Sequence, residues 1–296
     1  MLKLKVPATT ANLGPGFDTL GMALELYNTL EVTKIEEGLE IIIEGYGADE
    51  LPIDEKNLVY QAMNKVFKKT CYYPSGLRLR LSNQVPLARG LGSSATAIVA
   101  GMVAANKLTG EKLSTEELLN LATRLEGHPD NVAPALLGGI VVSTLQDKGR
   151  VMYEKIAVPE LKVVVCIPDY QVSTTEAREV LPKKVDFADA IFNVSHTALL
   201  ITGLLNQDYD LVGRALEDRL HQPYRQKLLP GFNKLVNKVD KNALGVVLSG
   251  SGPTVIALTL DKEEQIGEEM VSIFTEEGIE ANYLVTSPTN QGIITY

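Results

Sequence analysis

The chain has 296 residues, 45% of them hydrophobic and 22% charged, enough for two domains with buried cores and too many for a disulfide-stapled miniprotein. Its 28 Lys and Arg against 37 Asp and Glu leave a formal charge of −9, which repels polyphosphates and anionic lipid, so no nucleic acid and no membrane partner is expected. No apolar run reaches the ~18 residues of a membrane helix, and Cys71 and Cys166 form no CxxC pair; the expectation is a soluble, cytoplasmic protein with two reduced structural thiols.

Alternating Leu2, Leu4 and Val6 open a strand, residues 22–32 and 38–43 read as two more, and Gly14, Pro15 and Gly16 break the chain after the first. The spacing of Val59, Met63 and Val66 predicts a helix over 56–69, and Leu77, Leu79 and Leu81 predict a strand before the loop 83–89. The small-residue run after Gly92 reads as a buried helix. Ser114-Thr-Glu-Glu117 is a capping box opening another helix, to Leu125, which Gly127 stops. A short helix over 129–137 ends at Gly138 and Gly139, a strand follows over 140–145, and residues 146–150 are turn-like. A second block begins with a strand over 161–167 and continues with helices near 174–181, 186–205, 211–226 and 230–238. Strands over 244–248 and 254–260, a helix over 262–277 and two last strands complete an α+β order. The domains are expected at 1–155 and 156–296, with no internal repeat.

Three glycine-rich segments stand apart from ordinary turns: PATTANLGPGFDTLG at 7–21, PLARGLGSSAT at 86–96 and LSGSGPT at 248–254. In the middle one, Gly90 and Gly92 let backbone N–H groups approach an oxyanion, Ser93 and Ser94 add hydroxyls, and the following helix points its positive end at the same spot. Residues 90–95 also match the GxGxxA of a dinucleotide fold, but a second helix follows where that fold needs a strand ending in an acid. There is no Walker GxxxxGK[ST], and SGSGP lacks the GxSxG spacing of a serine hydrolase.

Pro-x-x-x-Gly-Leu-Gly-Ser-Ser-Ala over 86–95 resembles the ATP loop of the GHMP kinases, and the other two segments fall in the places and order of that superfamily's substrate segment and C-terminal glycine turn. Within it the chain is most similar to the homoserine kinases, whose first segment and His-x-x-Asn-Val-Ala-Pro motif read like residues 7–21 and 128–134. The resemblance covers nearly the whole chain. It implies a two-domain GHMP kinase fold, with an N-terminal ribosomal-protein-S5-like domain and a C-terminal ferredoxin-like domain. It also implies ATP-dependent phosphorylation of the side-chain hydroxyl of L-homoserine to O-phospho-L-homoserine, on the route to threonine, and a homodimer is the family's habit.

Carried onto this chain, the resemblance makes Pro86, Leu87, Ala88, Arg89, Gly90, Leu91, Gly92, Ser93, Ser94, Ala95 and Thr96 the ATP loop, with Asn57 and Leu58 near the adenine. Mg2+ takes hard oxygen ligands and bridges phosphates, so Ser94 and Glu126 are its expected protein ligands. A zwitterionic amino acid needs a cation at its carboxylate and oxygens at its ammonium. Arg178 and Arg225 match the family's carboxylate clamps, Asn12 and Asp18 its holders of ammonium and hydroxyl, and His128, Asn131 and Gly250 complete the substrate pocket, with Ser251 closing over it. Thr174 lies one helical turn before Arg178. Mevalonate-type relatives carry an aspartate base where this chain has Asn131, and an amide takes no proton at neutral pH. Catalysis is then expected by positioning and charge neutralisation, through Asn131, Arg178 and Thr174. Asp130, about 100° away around a helix, is not expected to reach the same hydroxyl. Two other readings are a GHMP kinase with a different acceptor and a sensor without turnover; Ser94 and Glu126 disfavour the sensor, and Asn131 disfavours the other acceptors, but mevalonate and shikimate are carboxylates too, so Asn12 and Asp18 on the ammonium side carry that distinction. A Rossmann oxidoreductase is a further one.

Overall fold

The computed structural model describes residues 1–239 and 241–296. The first half runs β1 (Leu2–Ala11), β2 (Leu20–Lys34), β3 (Gly38–Gly45), α1 (Leu58–Thr70), β4 (Gly76–Asn83), α2 (Ser93–Leu108), α3 (Thr115–Glu126), α4 (Pro129–Leu137), β5 (Ile140–Leu145) and β6 (Val151–Ile156). The second runs β7 (Lys162–Pro168), α5 (Thr174–Glu179), α6 (Phe187–Asn206), α7 (Tyr209–Ala215), α8 (Gln222–Arg225), α9 (Phe232–Val239), β8 (Gly245–Leu248), β9 (Val255–Thr259), α10 (Glu263–Glu276), β10 (Ala281–Thr286) and β11 (Ile294–Thr295).

The first sheet has the order β11-β1-β2-β4-β3, and on the edge away from β1 the long β2 serves two neighbours, pairing β4 through residues 29–34 and β5 through 20–22. Only β3 and β4 run parallel. Helices α1 and α2 cover this sheet, and their apolar faces, Met63 and Val66 against Ile98 and Met102, sit in one buried cluster with Leu77 and Leu79. The second sheet has the order β10-β7-β9-β8, all antiparallel. Its β-α-β-β-α-β order is the ferredoxin-like arrangement, with α5 to α9 in the first crossover and α10 in the second. A further cluster joins the halves, drawing Leu13, Leu20 and Met22 together with Val163, Val165 and Val247. The mixed helix and strand content fits the α+β expectation.

Four features depart from the sequence reading. Strand β6 was not foreseen: VMYEKI lacks alternation, and it forms because β5 offers its free edge. The expected helix over 211–226 is two helices, because the Asp218 carboxylate accepts from the N–H groups of Leu220, His221 and Gln222 and starts a new turn there. The chain end crosses back to the first half, with β11 on β1 and Thr289 bonded to Ala23. Finally, α6 is long and apolar enough on average to cross a membrane. Asp189, Asn193 and His196 interrupt its apolar run, so a search for continuous runs passes over it.

Candidate active site

Local chemistry sets the middle glycine segment at the junction of the halves. Helix α2 begins at Ser93 with Gly92 as N-cap, φ 67°, and no side-chain oxygen fills its first N–H groups. They stay available to an anion at the positive end of a 16-residue helix. The loop is held by both other glycine segments: Thr9 N–H donates to Leu91 O (3.1 Å), Thr254 N–H to Arg89 O (3.2 Å) and Ser249 Oγ to Gly90 O (2.6 Å). A Cβ on Gly90 would strike the Ser249 carbonyl, and one on Gly92 would strike Thr9 Oγ1, so the close approach requires glycine at both places. Arg89 ties the loop to the second sheet, donating to Pro168 O (2.6 Å), to Tyr170 O and to Asp169 (2.9 Å).

Two cavities meet at this helix start. One, of about 450 Å3, is mainly apolar, walled by Leu30, Leu51, Leu58, Val59, Leu81 and Leu87 with Asn57 and Thr96. The other, of about 130 Å3, is lined by Asn12, Asp18, Gly92, His128, Asp130, Asn131, Arg178, Arg225 and Gly250. Ala88, Ser93, Ser94, Ser173 and Thr174 line both, so a flat apolar ring in the first would reach the polar cavity by way of the N-terminus of α2.

Charge in the small cavity is unevenly balanced. Arg178 meets Asp18 through two hydrogen bonds of 3.0 and 2.8 Å, and that bonding raises its pKa. Arg225 is 3% exposed and has no carboxylate within 4 Å among the described residues. It donates instead to Ala177 O (3.1 Å) and Gly250 O (2.9 Å). Burial, then the charge of Arg178, push its pKa down to about 10. Ser94 Oγ donates to Glu126 Oε2 at 2.7 Å. Burial raises the Glu126 pKa against that bond. At His128 burial lowers the pKa, but the bond from Nδ1 to Asp130, with the charges of Asp130, Glu126 and Asp18, raises it overall. Thr9 Oγ1 donates to Asn131 Oδ1 (2.8 Å), which leaves the Asn131 amide nitrogen, a donor, beside Asp130 and the cavity.

Ser94 and Glu126 supply hard oxygens side by side at the cavity edge, the donor set Mg2+ takes when phosphates provide the remaining ligands. Among the described residues no three His, Cys, Asp or Glu side chains could hold a metal by themselves.

Most residues expected at the site are brought together, with three qualifications. Leu91 and Ala95 pack into buried clusters, and Pro86 lines neither cavity. Asn57 walls the larger cavity, but its amide is used in capping α1, accepting from Val59 N–H and donating to Pro52 O. Asn12 likewise spends its amide on Gly250 O and Asp18 N–H, joining the first and third segments. Asp130 and Asn131 both line the small cavity, which wraps the first turn of α4. Sequence reasoning missed Thr9, which orients Asn131, and Asn28, which accepts from Gln84 and Val85 N–H and donates to Thr96 Oγ1. It also missed His221 behind Arg225. A polar side chain inside an apolar strand pattern was the available signal for Asn28.

Residues 57–139 match the family described as GHMP kinases N terminal domain, and residues 200–276 the one described as GHMP kinases C terminal. The chain is 48% identical to a homoserine kinase of Carboxydothermus hydrogenoformans over 99% of this chain and 96% of that protein. It is 46% identical to one of Aquifex aeolicus over the full length of both. The crystal structure of homoserine kinase from Cytophaga hutchinsonii superposes with a TM-score of 0.88 at 33% identity, covering 100% of this chain and 97% of that one.

Proposed function

The chain belongs to the homoserine kinases of the GHMP kinase family, and from that premise we propose how its residues carry out the reaction. The enzyme transfers the terminal phosphoryl group of ATP to the side-chain hydroxyl of L-homoserine, giving O-phospho-L-homoserine for threonine biosynthesis. The observation that carries the site assignment is Arg225, a buried guanidinium that opens on the small cavity with no carboxylate within 4 Å among the described residues. A buried cation left unpaired is costly, and the α-carboxylate of an amino acid relieves that cost.

In this reading adenine occupies the apolar cavity beside Asn57 and Leu58, and the phosphates cross the first turn of α2, bonded by the N–H groups and hydroxyls of Ser93 and Ser94. Ser94 and Glu126 hold Mg2+, which when bound neutralises phosphate charge. Homoserine enters the small cavity as a zwitterion and exchanges ions with the Asp18–Arg178 pair, its carboxylate going to Arg178 and Arg225 and its ammonium to Asp18. Asn131 offers an N–H donor and no base, so it steadies the hydroxyl and the transferring oxygens. The hydroxyl proton leaves late, to phosphate or water. Thr174, lining both cavities, stands between nucleotide and acceptor. Residues 1–155 form the nucleotide domain and 156–296 the second, except that the chain end returns to the first sheet through β11. We further read the protein as a cytoplasmic homodimer with neither nucleic acid nor membrane as partner.

The test is an ADP-release assay with ATP and Mg2+ against L-homoserine, D-homoserine, L-serine and mevalonate. Turnover is expected with L-homoserine alone, and Arg178→Ala should lower kcat/KM by about 100-fold or more. Preferential turnover of mevalonate would discard the pocket assignment, and a loss above about 100-fold in Asp130→Asn, fold intact, would move the proton-accepting role to Asp130.

A further inference from the structure

This inference rests on the reading of Arg225 as the carboxylate clamp. His221 lies at the start of α8, fully buried and outside the lining of the small cavity. Its two ring nitrogens face groups of opposite kind. Nε2 is 2.8 Å from the carbonyl oxygen of Gly14, which can only accept, and Nδ1 is 3.3 Å from an Arg225 guanidinium nitrogen, which can only donate. Both contacts are met by a single state, the neutral imidazole with its proton on Nε2 and a lone pair on Nδ1.

The surroundings hold that state. Among the described residues Asp218 is the nearest carboxylate, 3.6 Å from Nε2, but its oxygens already accept from three backbone N–H groups and from Asn193 Nδ2. The Phe17 ring stacks on the imidazole at 5.1 Å, and the guanidiniums of Arg225 and Arg178 lie 5.1 and 5.7 Å from that same ring. The charge of Asp18, on the loop that carries Gly14 and Phe17, also acts on the imidazole. A proton on Nδ1 would remove the acceptor from Arg225 and set two buried cations in contact.

We propose that His221 is a positioning residue for recognition of the substrate's carboxylate. As the neutral Nε2–H tautomer it fixes Arg225 through Nδ1 and ties it through Gly14 to the loop bearing Asp18. The carboxylate site and the ammonium site thereby keep one spacing, the spacing of an α-amino acid.

Two substitutions divide the imidazole's duties. His221→Asn places an acceptor near the Nδ1 position and gives up Gly14, whereas His221→Gln reaches Gly14 with a donor and leaves Arg225 without its acceptor. Steady-state kinetics with homoserine, with ATP and with 3-aminopropan-1-ol, which is homoserine without its carboxylate, read the outcome. His221→Gln should raise KM for homoserine about tenfold, with kcat and KM for ATP within about threefold of wild type. His221→Asn should restore most of the loss, and 3-aminopropan-1-ol should be used equally by all three proteins. Equal losses in both variants, or equal losses on the substrate lacking a carboxylate, would overturn the proposal. Independently of turnover, nitrogen-15 NMR of the wild-type ring should show an Nε2–H imidazole that does not titrate between about pH 8 and 5.5. A ring that titrates near its ordinary value would overturn it as well. A wild type inactive on homoserine would sink the functional reading, while the NMR result would still decide the tautomer.

Discussion

In the proposed site, Glu126 serves Mg2+ at a cost to the fold. Burial raises its pKa, so the folded chain holds the carboxylate less willingly than water does. Glu126→Gln should therefore leave the melting temperature of the metal-free protein unchanged or higher, while lowering kcat by about 100-fold, the effect of one transition-state contact. Calorimetry and the ADP-release assay check the two halves. His221 has the opposite character. Burial depresses its pKa below the ordinary 6.5, so below that pH the unfolded chain binds a proton that the folded chain refuses. Its contribution to stability is full above about pH 6.5 and falls as the pH drops. Urea titrations of the two proteins across that range should differ by this fall at low pH, which His221→Asn lacks, the opposite contribution of His128 being common to both. At this scale the sequence named Arg178, Arg225, Ser94 and Glu126 because residue type and motif position suffice to suggest their chemistry. Thr9 and His221 escaped it because their roles lie in hydrogen bonds to residues 122 and 207 positions away in the chain.

At the scale of elements, local rules succeeded wherever the signal was local. The capping box at Ser114 is formed in full, with Ser114 Oγ accepting from Glu117 N–H and the Glu117 carboxylate from Ser114 N–H. Ser114→Ala should cost about 1 kcal/mol in urea unfolding and leave KM for ATP and homoserine unchanged, since α3 meets the site only at its far end, Glu126. The same rules failed between residues 211 and 226. Helical periodicity runs through that stretch, but Asp218 captures three N–H groups, and Gly213 sits against the Leu244 carbonyl. The break matters, because it lets α8 begin afresh at His221 and aim Arg225 into the cavity. Strand β6 and the pairing of β11 with β1 likewise depend on edges that other segments supply.

For the whole molecule, α6 leaves an apolar stripe in the open. Phe187, Ile191, Val194 and Leu205 are 81, 55, 72 and 61% exposed, and their spacings of four, three and eleven residues, close to whole numbers of turns, put them along one side of a helix about 30 Å long. The only charged side chain on that helix, Asp189, is turned to Arg219. A second copy related by a two-fold axis would bury this stripe against itself, which supports the homodimer reading. Sedimentation should give a dimer that Ile191→Asp with Val194→Asp converts to monomer while activity on homoserine persists; a monomeric wild type would refute the dimer. Most strands and helices, the glycine-rich start of α2 and the kinase family were legible along the chain, because periodicity, capping and a short glycine motif are written in neighbouring residues. The meeting of three glycine segments, the pairing of Asp18 with Arg178 and the uncompensated burial of Arg225 were not. These are balances of charge and space among segments far apart in sequence, and they exist only once the two sheets have packed.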